Sequence, residues 1–193
     1  GLFHVVGFGE ADHRAAKRYA KALFQASLKE GAVAAVDDDL KSLTEALRAS
    51  DSLRSFVFSP ITNEADKEAL WERTLTGKVS PLTLGMLKLA TKKGRDTEIF
   101  AIQLEFADLR RQHEQIVKAV FESAVALDAA TQQALSAKVA SLTGRRVEAE
   151  FKVDPTLIGG VKVTYDNMVL DGSARGHLNR LKESFLRDAL KQS

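Results

Sequence analysis

The chain has 193 residues, with 28 basic and 26 acidic side chains giving a formal net charge of +2, and 45% of its residues are hydrophobic. That length holds one large domain or two small ones, and the balance is that of an ordinary soluble globular protein without the global positive field of a nucleic-acid binder. The lack of cysteine excludes disulfides, thiolate metal sites and cysteine nucleophiles, and no apolar run approaches the ~20 residues that span a bilayer, so any membrane association is expected to run through other proteins.

The opening Gly1-Leu2-Phe3-His4-Val5-Val6-Gly7-Phe8-Gly9 is apolar but has no basic leader, and residues 1–11 read as an N-terminal extension. From Asp12 to about Ile116 apolar positions recur at three and four, with capping residues at the joints, which predicts an α-helical bundle over residues 12–117. The first helix carries Ala16, Tyr19, Ala20, Leu23 and Phe24 on one side and stops at Gly31. The second places Val33, Val36, Leu40, Leu43 and Leu47 on one stripe. Leu53, Phe56 and Val57 predict a short helix before Ser59-Pro60, and Thr62 or Asn63 is placed to cap the helix that holds Ala69, Leu70 and Leu75. Ser80-Pro81 supplies an N-cap and a first-turn proline, and Lys92-Lys93-Gly94 brings positive charge and then glycine to the same helix's end. Ile99, Ile102, Phe106, Leu109 and Ile116 form the stripe of a long last helix, with His113 also on it as an interior or rim residue.

After Val117 the rhythm changes. Val120 to Val125 alternates as a strand does, which sets a domain boundary there and predicts a small α+β domain over residues 118–193. Asp128 is placed to cap a helix holding Leu135, Val139 and Leu142 that ends at Gly144; Val147, Ala149, Phe151 and Val153 then alternate with charged residues as a half-buried strand. Ile158 to Tyr165 and Met168 to Leu170 form a hairpin across Asp166-Asn167, with Gly159 and Gly160 as a bulge or a close backbone approach. Asp171 or Ser173 caps a final helix buried through Ala174, Leu178, Leu181 and Phe185.

The sequence carries no complete catalytic or metal-binding signature. Gly7-Phe8-Gly9 has Asp12 at the third glycine position of a dinucleotide fingerprint, there is no phosphate-binding loop, and Gly172-Ser173-Ala174-Arg175-Gly176 misses the nucleophile-elbow spacing by one residue. His4, His13, His113 and His177 have no metal-ligand spacing, and Asp37-Asp38-Asp39 reads as a solvated helix face rather than a cation loop. The basic pairs Lys92-Lys93, Arg110-Arg111 and Arg145-Arg146 read as surface charge.

The run Asp154-Pro155-Thr156-Leu157-Ile158-Gly159-Gly160-Val161, followed by Met168-Val169-Leu170-Asp171-Gly172-Ser173-Ala174-Arg175-Gly176-His177-Leu178 and Leu181, resembles the C-terminal signature of the ATP synthase delta subunit family, which includes the mitochondrial oligomycin-sensitivity-conferring protein. Arg18-Tyr19-Ala20-Lys21-Ala22-Leu23-Phe24 is similar to that family's first-helix motif, and Ser59-Pro60 and Lys93-Gly94-Arg95 also fit. The resemblance implies a six-helix N-terminal domain on top of the catalytic head, touching N-terminal segments of the alpha subunits, and a C-terminal domain gripping the b subunit of the peripheral stalk. It implies a non-catalytic stator with no cofactor, metal or nucleic acid, held to an energy-transducing membrane only through its complex, with the cytoplasmic face of a bacterial plasma membrane favoured over the mitochondrial matrix side. The candidate interface residues are Arg18, Tyr19, Ala20, Ala22, Leu23, Phe24, Gly159, Gly160, Asp171, Ser173, Arg175, Leu178 and Leu181. Ala16, Ala20 and Leu23 permit close approach of a partner helix, while packing inside the bundle explains them equally well. Two other classes stand beside this reading: a nucleic-acid-associated adaptor, from the basic pairs and a pI of about 8.8, and a hydrolase using Ser173 and His177.

Overall fold

A computed structural model describes residues 10–157 and 159–172, with side chains for 14–157 and 159–170. The chain divides into two compact units between Arg110 and Arg111.

Among the described residues six α-helices precede the first strand: α1 (Glu10–Glu30), α2 (Val33–Ala49), α3 (Asp51–Phe58), α4 (Glu64–Leu75), α5 (Pro81–Lys92) and α6 (Ile99–Glu114), with a 3-10 turn at Asp96–Glu98 before the last. Their ends follow side-chain chemistry. Gly31 stops α1 at φ 64°, a left-handed angle that costs glycine nothing. Ser50 caps α3 by accepting from the Leu53 N–H, and Asn63, not Thr62, caps α4 by accepting from the Asp66 N–H at 2.8 Å. Ser80 caps α5 ahead of Pro81.

The first core is built from Ala16, Ala20, Leu23 and Phe24 of α1, Val36, Leu40 and Leu47 of α2, Leu87 of α5, and Ile99, Ile102 and Phe106 at the end of the unit. Each large side chain fully withdrawn from water here contributes roughly 1.5–3 kcal/mol. The Phe24 and Phe106 rings meet edge to face, with centroids 5.6 Å apart. Trp71 of α4 is also buried, its indole N–H donating to Thr91 Oγ1 at 2.9 Å. The Asp37–Asp39 run departs from the expected solvated face. Asp37 is buried and paired with Arg110 at 2.6 Å and Lys41 at 3.0 Å, because its place on the turn beside Val36 points it at α6. Asp39 accepts from the Ser80 N–H and the Thr83 hydroxyl, each at 2.8 Å, so α2 helps to fix the start of α5. Only Asp38 is exposed.

The second unit holds β1 (Ile116–Ser123), α7 (Ala129–Thr143), β2 (Arg146–Val153), β3 (Val161–Tyr165) and β4 (Met168–Gly172) in a mixed sheet of order β2-β1-β3-β4. The β1–β2 pair is parallel, which requires a crossover, and α7 supplies it; the other pairs are antiparallel. Val117, Ala119 and Phe121 of β1 and Val161, Val163 and Tyr165 of β3 face Val139 and Leu142 of α7. Asp128 caps α7, and Gly144 ends it at φ 65°.

Several sequence expectations are corrected here. The long helix ends at Glu114, Gln115 takes a positive φ of 55°, and Ile116 opens β1 opposite Arg146 instead of continuing the stripe. His113 is exposed, not interior. The strand starts at Ile116 and stops at Ser123, which leaves Val125 70% exposed. In β2 only Val147 and Phe151 are half-buried, while Ala149 and Val153 are exposed, because this edge strand has a neighbour on one side only. Gly159 and Gly160 lie in the loop before β3, at φ 64° and 76°; a side chain at Gly159 would meet open space, so backbone angle rather than close approach requires glycine there. Asp171 is a residue of β4, opposite Lys162, and the final helix it was expected to cap lies outside the described residues.

Candidate partner-docking surface

The first-helix motif is split by the fold. Every third or fourth residue of α1 turns inward, so Ala20, Leu23 and Phe24 are spent on the core, with Ala20 fully buried. Arg18 and Ala22 are exposed and Tyr19 is half-buried. These three, with Ala15, form one wall of a groove of about 440 Å³ whose other wall is Leu89, Lys93 and Arg95 from the end of α5 and the turn after it. Its floor is apolar and small, through Ala15, Ala22 and the ring of Tyr19. Leu89 stands in it 46% exposed. The rim is cationic, through Arg18, Lys93 and Arg95.

The fold fixes this geometry at both sides. Ala16 and Ala20 seat α1 in the core, and Leu87 and Ala90 do the same for α5, all at 0% exposure, so the residues between them must face out. At the C-terminus of α5 the Lys93 N–H bonds the Leu89 carbonyl and the Arg95 N–H bonds the Ala90 carbonyl, with Gly94 at φ 67°. That closure swings Lys93 and Arg95 back beside the groove. Such a surface can hold an amphipathic helix; it presents no nucleophile–base pair. Among the described residues no cluster of metal-ligating side chains occurs, and no described helix is long and apolar enough to cross a membrane.

Sequence reasoning placed Arg18, Tyr19 and Ala22 in an interface but did not find Ala15, Leu89 or Arg95. Leu89 carried a readable signal: it sits two residues after Leu87, and on one helix both cannot face the same core. Ser173, Arg175, Leu178 and Leu181, with the final helix and the Ser173–His177 hydrolase reading, lie outside the described residues, as does the Gly7-Phe8-Gly9 stretch. Gly159, Gly160 and Asp171 belong to the second unit.

Most of the basic pairs are internally engaged. Arg110 holds Asp37, Arg111 approaches Glu148 at 3.8 Å, Arg145 meets Asp166 and Arg146 approaches Glu114 at 3.8 Å. The adaptor reading loses its main support. Two carboxylates have lowered pKa values, both for local reasons. Asp128 is held down by the Thr131 hydroxyl and then the Thr131 N–H, and Asp154 by the Thr156 hydroxyl and then its N–H. Each stabilises a chain reversal in the second unit.

The model of the ATP synthase delta (OSCP) subunit family matches residues 15–185. An ATP synthase subunit delta from Desulforamulus reducens is 33% identical over 89% of this chain and 94% of its own length. One from a Caulobacter species is 33% identical over 90% of this chain and 95% of its own. A chain of the mitochondrial ATP synthase hexamer of Toxoplasma gondii superposes with a TM-score of 0.71 at 22% identity, covering 89% of this chain and 97% of that one, which is a likeness of fold.

Proposed function

Because this chain belongs to the ATP synthase delta (OSCP) subunit family, we propose that its six N-terminal helices sit on the catalytic head and hold an alpha-subunit N-terminal segment in the α1–α5 groove. The protein is a non-catalytic stator subunit of the peripheral stalk, linking the catalytic head to the stalk so that rotor torque drives ATP synthesis. Its second unit, with the described sheet and the residues beyond it, grips the b subunit. The single observation that carries the groove assignment is Leu89, a large apolar side chain left 46% exposed beside small residues of another helix while its neighbours Leu87 and Ala90 are fully buried. The bacterial relatives support a position on the cytoplasmic face of a plasma membrane, reached through the complex.

The test is reconstitution. Catalytic heads and stalks stripped of this subunit should regain proton-driven ATP synthesis when the chain is added back. Leu89→Asp should keep the helical content and thermal midpoint of the wild type yet fail to restore coupling. If Leu89→Asp couples as well as the wild type, the groove does not hold the head.

A further inference from the structure

We propose that Gly85 is a positioning residue for docking: the helix held by the first unit crosses α5 with its backbone over Gly85, and the missing side chain there sets how closely the two helices approach. The inference rests on the reading of the α1–α5 groove as the docking surface, and it concerns a residue that does not itself line that groove.

Gly85 breaks the pattern of the helix that carries it. α5 is otherwise built to be stable: Ser80 caps it, Pro81 occupies its first turn, and Lys92 stands at its negative end. Glycine in a helix interior is the least favourable choice short of proline, because it loses the most backbone freedom and contributes no side chain. Among the described residues Gly85 is the one glycine inside a helix. Gly31, Gly77, Gly94 and Gly144 lie at helix ends or turns with φ between 64° and 77°, angles that favour glycine, whereas Gly85 has no positive φ. Crowding within the chain does not account for it either. A Cβ built on Gly85 would meet no atom within 4 Å, so alanine would fit. What remains is contact with another molecule.

The place of Gly85 on α5 says which contact. Thr83, Met86, Leu87, Ala90 and Thr91 are buried and define the core side of the helix. At about 100° per residue Gly85 falls opposite them, and it is exposed. Pro81, Gly85 and Leu89, four apart, form one ridge along this outer side, with Gly85 as a gap between two apolar side chains. Helices pack by seating the ridges of one in the grooves of another, and the side chains at the crossing point set the distance between their axes. Leu89, at one end of the ridge, lines the α1–α5 groove, so the gap is continuous with the docking surface. On the other flank Lys88 is paired with Glu72 of α4. A helix crossing here lays its backbone in the gap and its side chains against Pro81 and Leu89. An extended chain or a membrane surface would touch the tips of Pro81 and Leu89 and gain nothing from a gap one residue wide.

Fluorescently labelled full-length chain is titrated with catalytic heads stripped of this subunit, and its first unit is melted with Trp71 emission as the signal. Gly85→Ala should raise the thermal midpoint by about 2–6 °C yet weaken binding to the heads about tenfold. Loss of binding by a more stable chain excludes misfolding. Gly85→Leu should weaken binding about a hundredfold or more. Alanine and leucine have nearly equal helix propensity, so a glycine kept for the flexibility of α5 would respond to both alike. If Gly85→Ala binds as tightly as the wild type while Leu89→Asp does not, the groove stands and the role of Gly85 falls. If Leu89→Asp also binds like the wild type, the groove reading itself has failed and takes this inference with it. A Gly85→Ala chain that melts below the wild type, or equal losses of binding in the alanine and leucine variants, would overturn the proposal, because glycine would then serve the fold or the flexibility of α5.

Discussion

Lys67 and Asp96 are both buried, on α4 and on the 3-10 turn, and each neutralises a charge that the interior would otherwise reject. Lys67→Met should therefore destabilise the chain by about 3–5 kcal/mol, because it strands the Asp96 carboxylate, whereas adding Asp96→Leu should recover most of the loss. Urea unfolding of the two single variants and the double variant measures this as a coupling energy. Titration acts at other residues. The folded-state pKa values of Asp128 and Asp154 lie below the ordinary carboxylate range, so the unfolded chain binds protons that the folded chain does not. Their contribution is fully present above the unfolded carboxylate pKa and is lost as pH falls through the depressed folded values. Asp128→Asn and Asp154→Asn should each flatten the acid limb of the stability–pH curve and leave its neutral plateau with a smaller change in slope; an unchanged acid limb would refute the assignment.

The helices of the first unit end where side chains and glycines dictate, and such ends respond to single substitutions. Asn63→Ala should remove the cap from α4 and cost about 1 kcal/mol, and Gly144→Ala should cost a similar amount by forcing a side chain into the left-handed region at the end of α7. Thermal denaturation by circular dichroism reads both. These ends were legible in the sequence because capping is local: Ser80-Pro81, Asp128 and Gly144 carry their signals within a few residues. The strands were less legible for the complementary reason. Ile116 continues a helical stripe in one dimension, and only β2, some thirty positions later, offers the pairing that draws it into β1. The same holds for β2, whose alternation is regular although its edge position leaves Ala149 and Val153 outside the core. In the groove, the α1 residues were legible from a family-like motif, but Leu89 becomes a partner of Tyr19 only when α5 lies beside α1.

At the scale of the molecule, two separate cores predict two separable unfolding events. Trp71 is the single tryptophan and lies in the first core, so its emission reports that unit alone. Phe121 is fully buried in the second core, its ring stacked on Phe151 with centroids 4.9 Å apart. Phe121→Ala should destabilise its own unit by about 3–5 kcal/mol and shift the far-ultraviolet transition, while the Trp71 emission midpoint stays fixed. A matching shift in both signals would show that the units unfold as one. The central position of β1 in the sheet has a kinetic consequence as well. During synthesis β1 leaves the ribosome before either of its neighbours exists; Ile116 waits for Arg146, and Ala119 for Tyr165. The first unit, rich in short-range helical contacts, is complete by then and free to collapse, whereas Val117, Ala119 and Phe121 remain in an apolar strand with two open edges until β2 has been made and one open edge until β3 follows. That interval is when this chain is most exposed to aggregation and most in need of a chaperone, so strengthening the helical half should do little for its yield, and slowing translation between β1 and β3 should do harm.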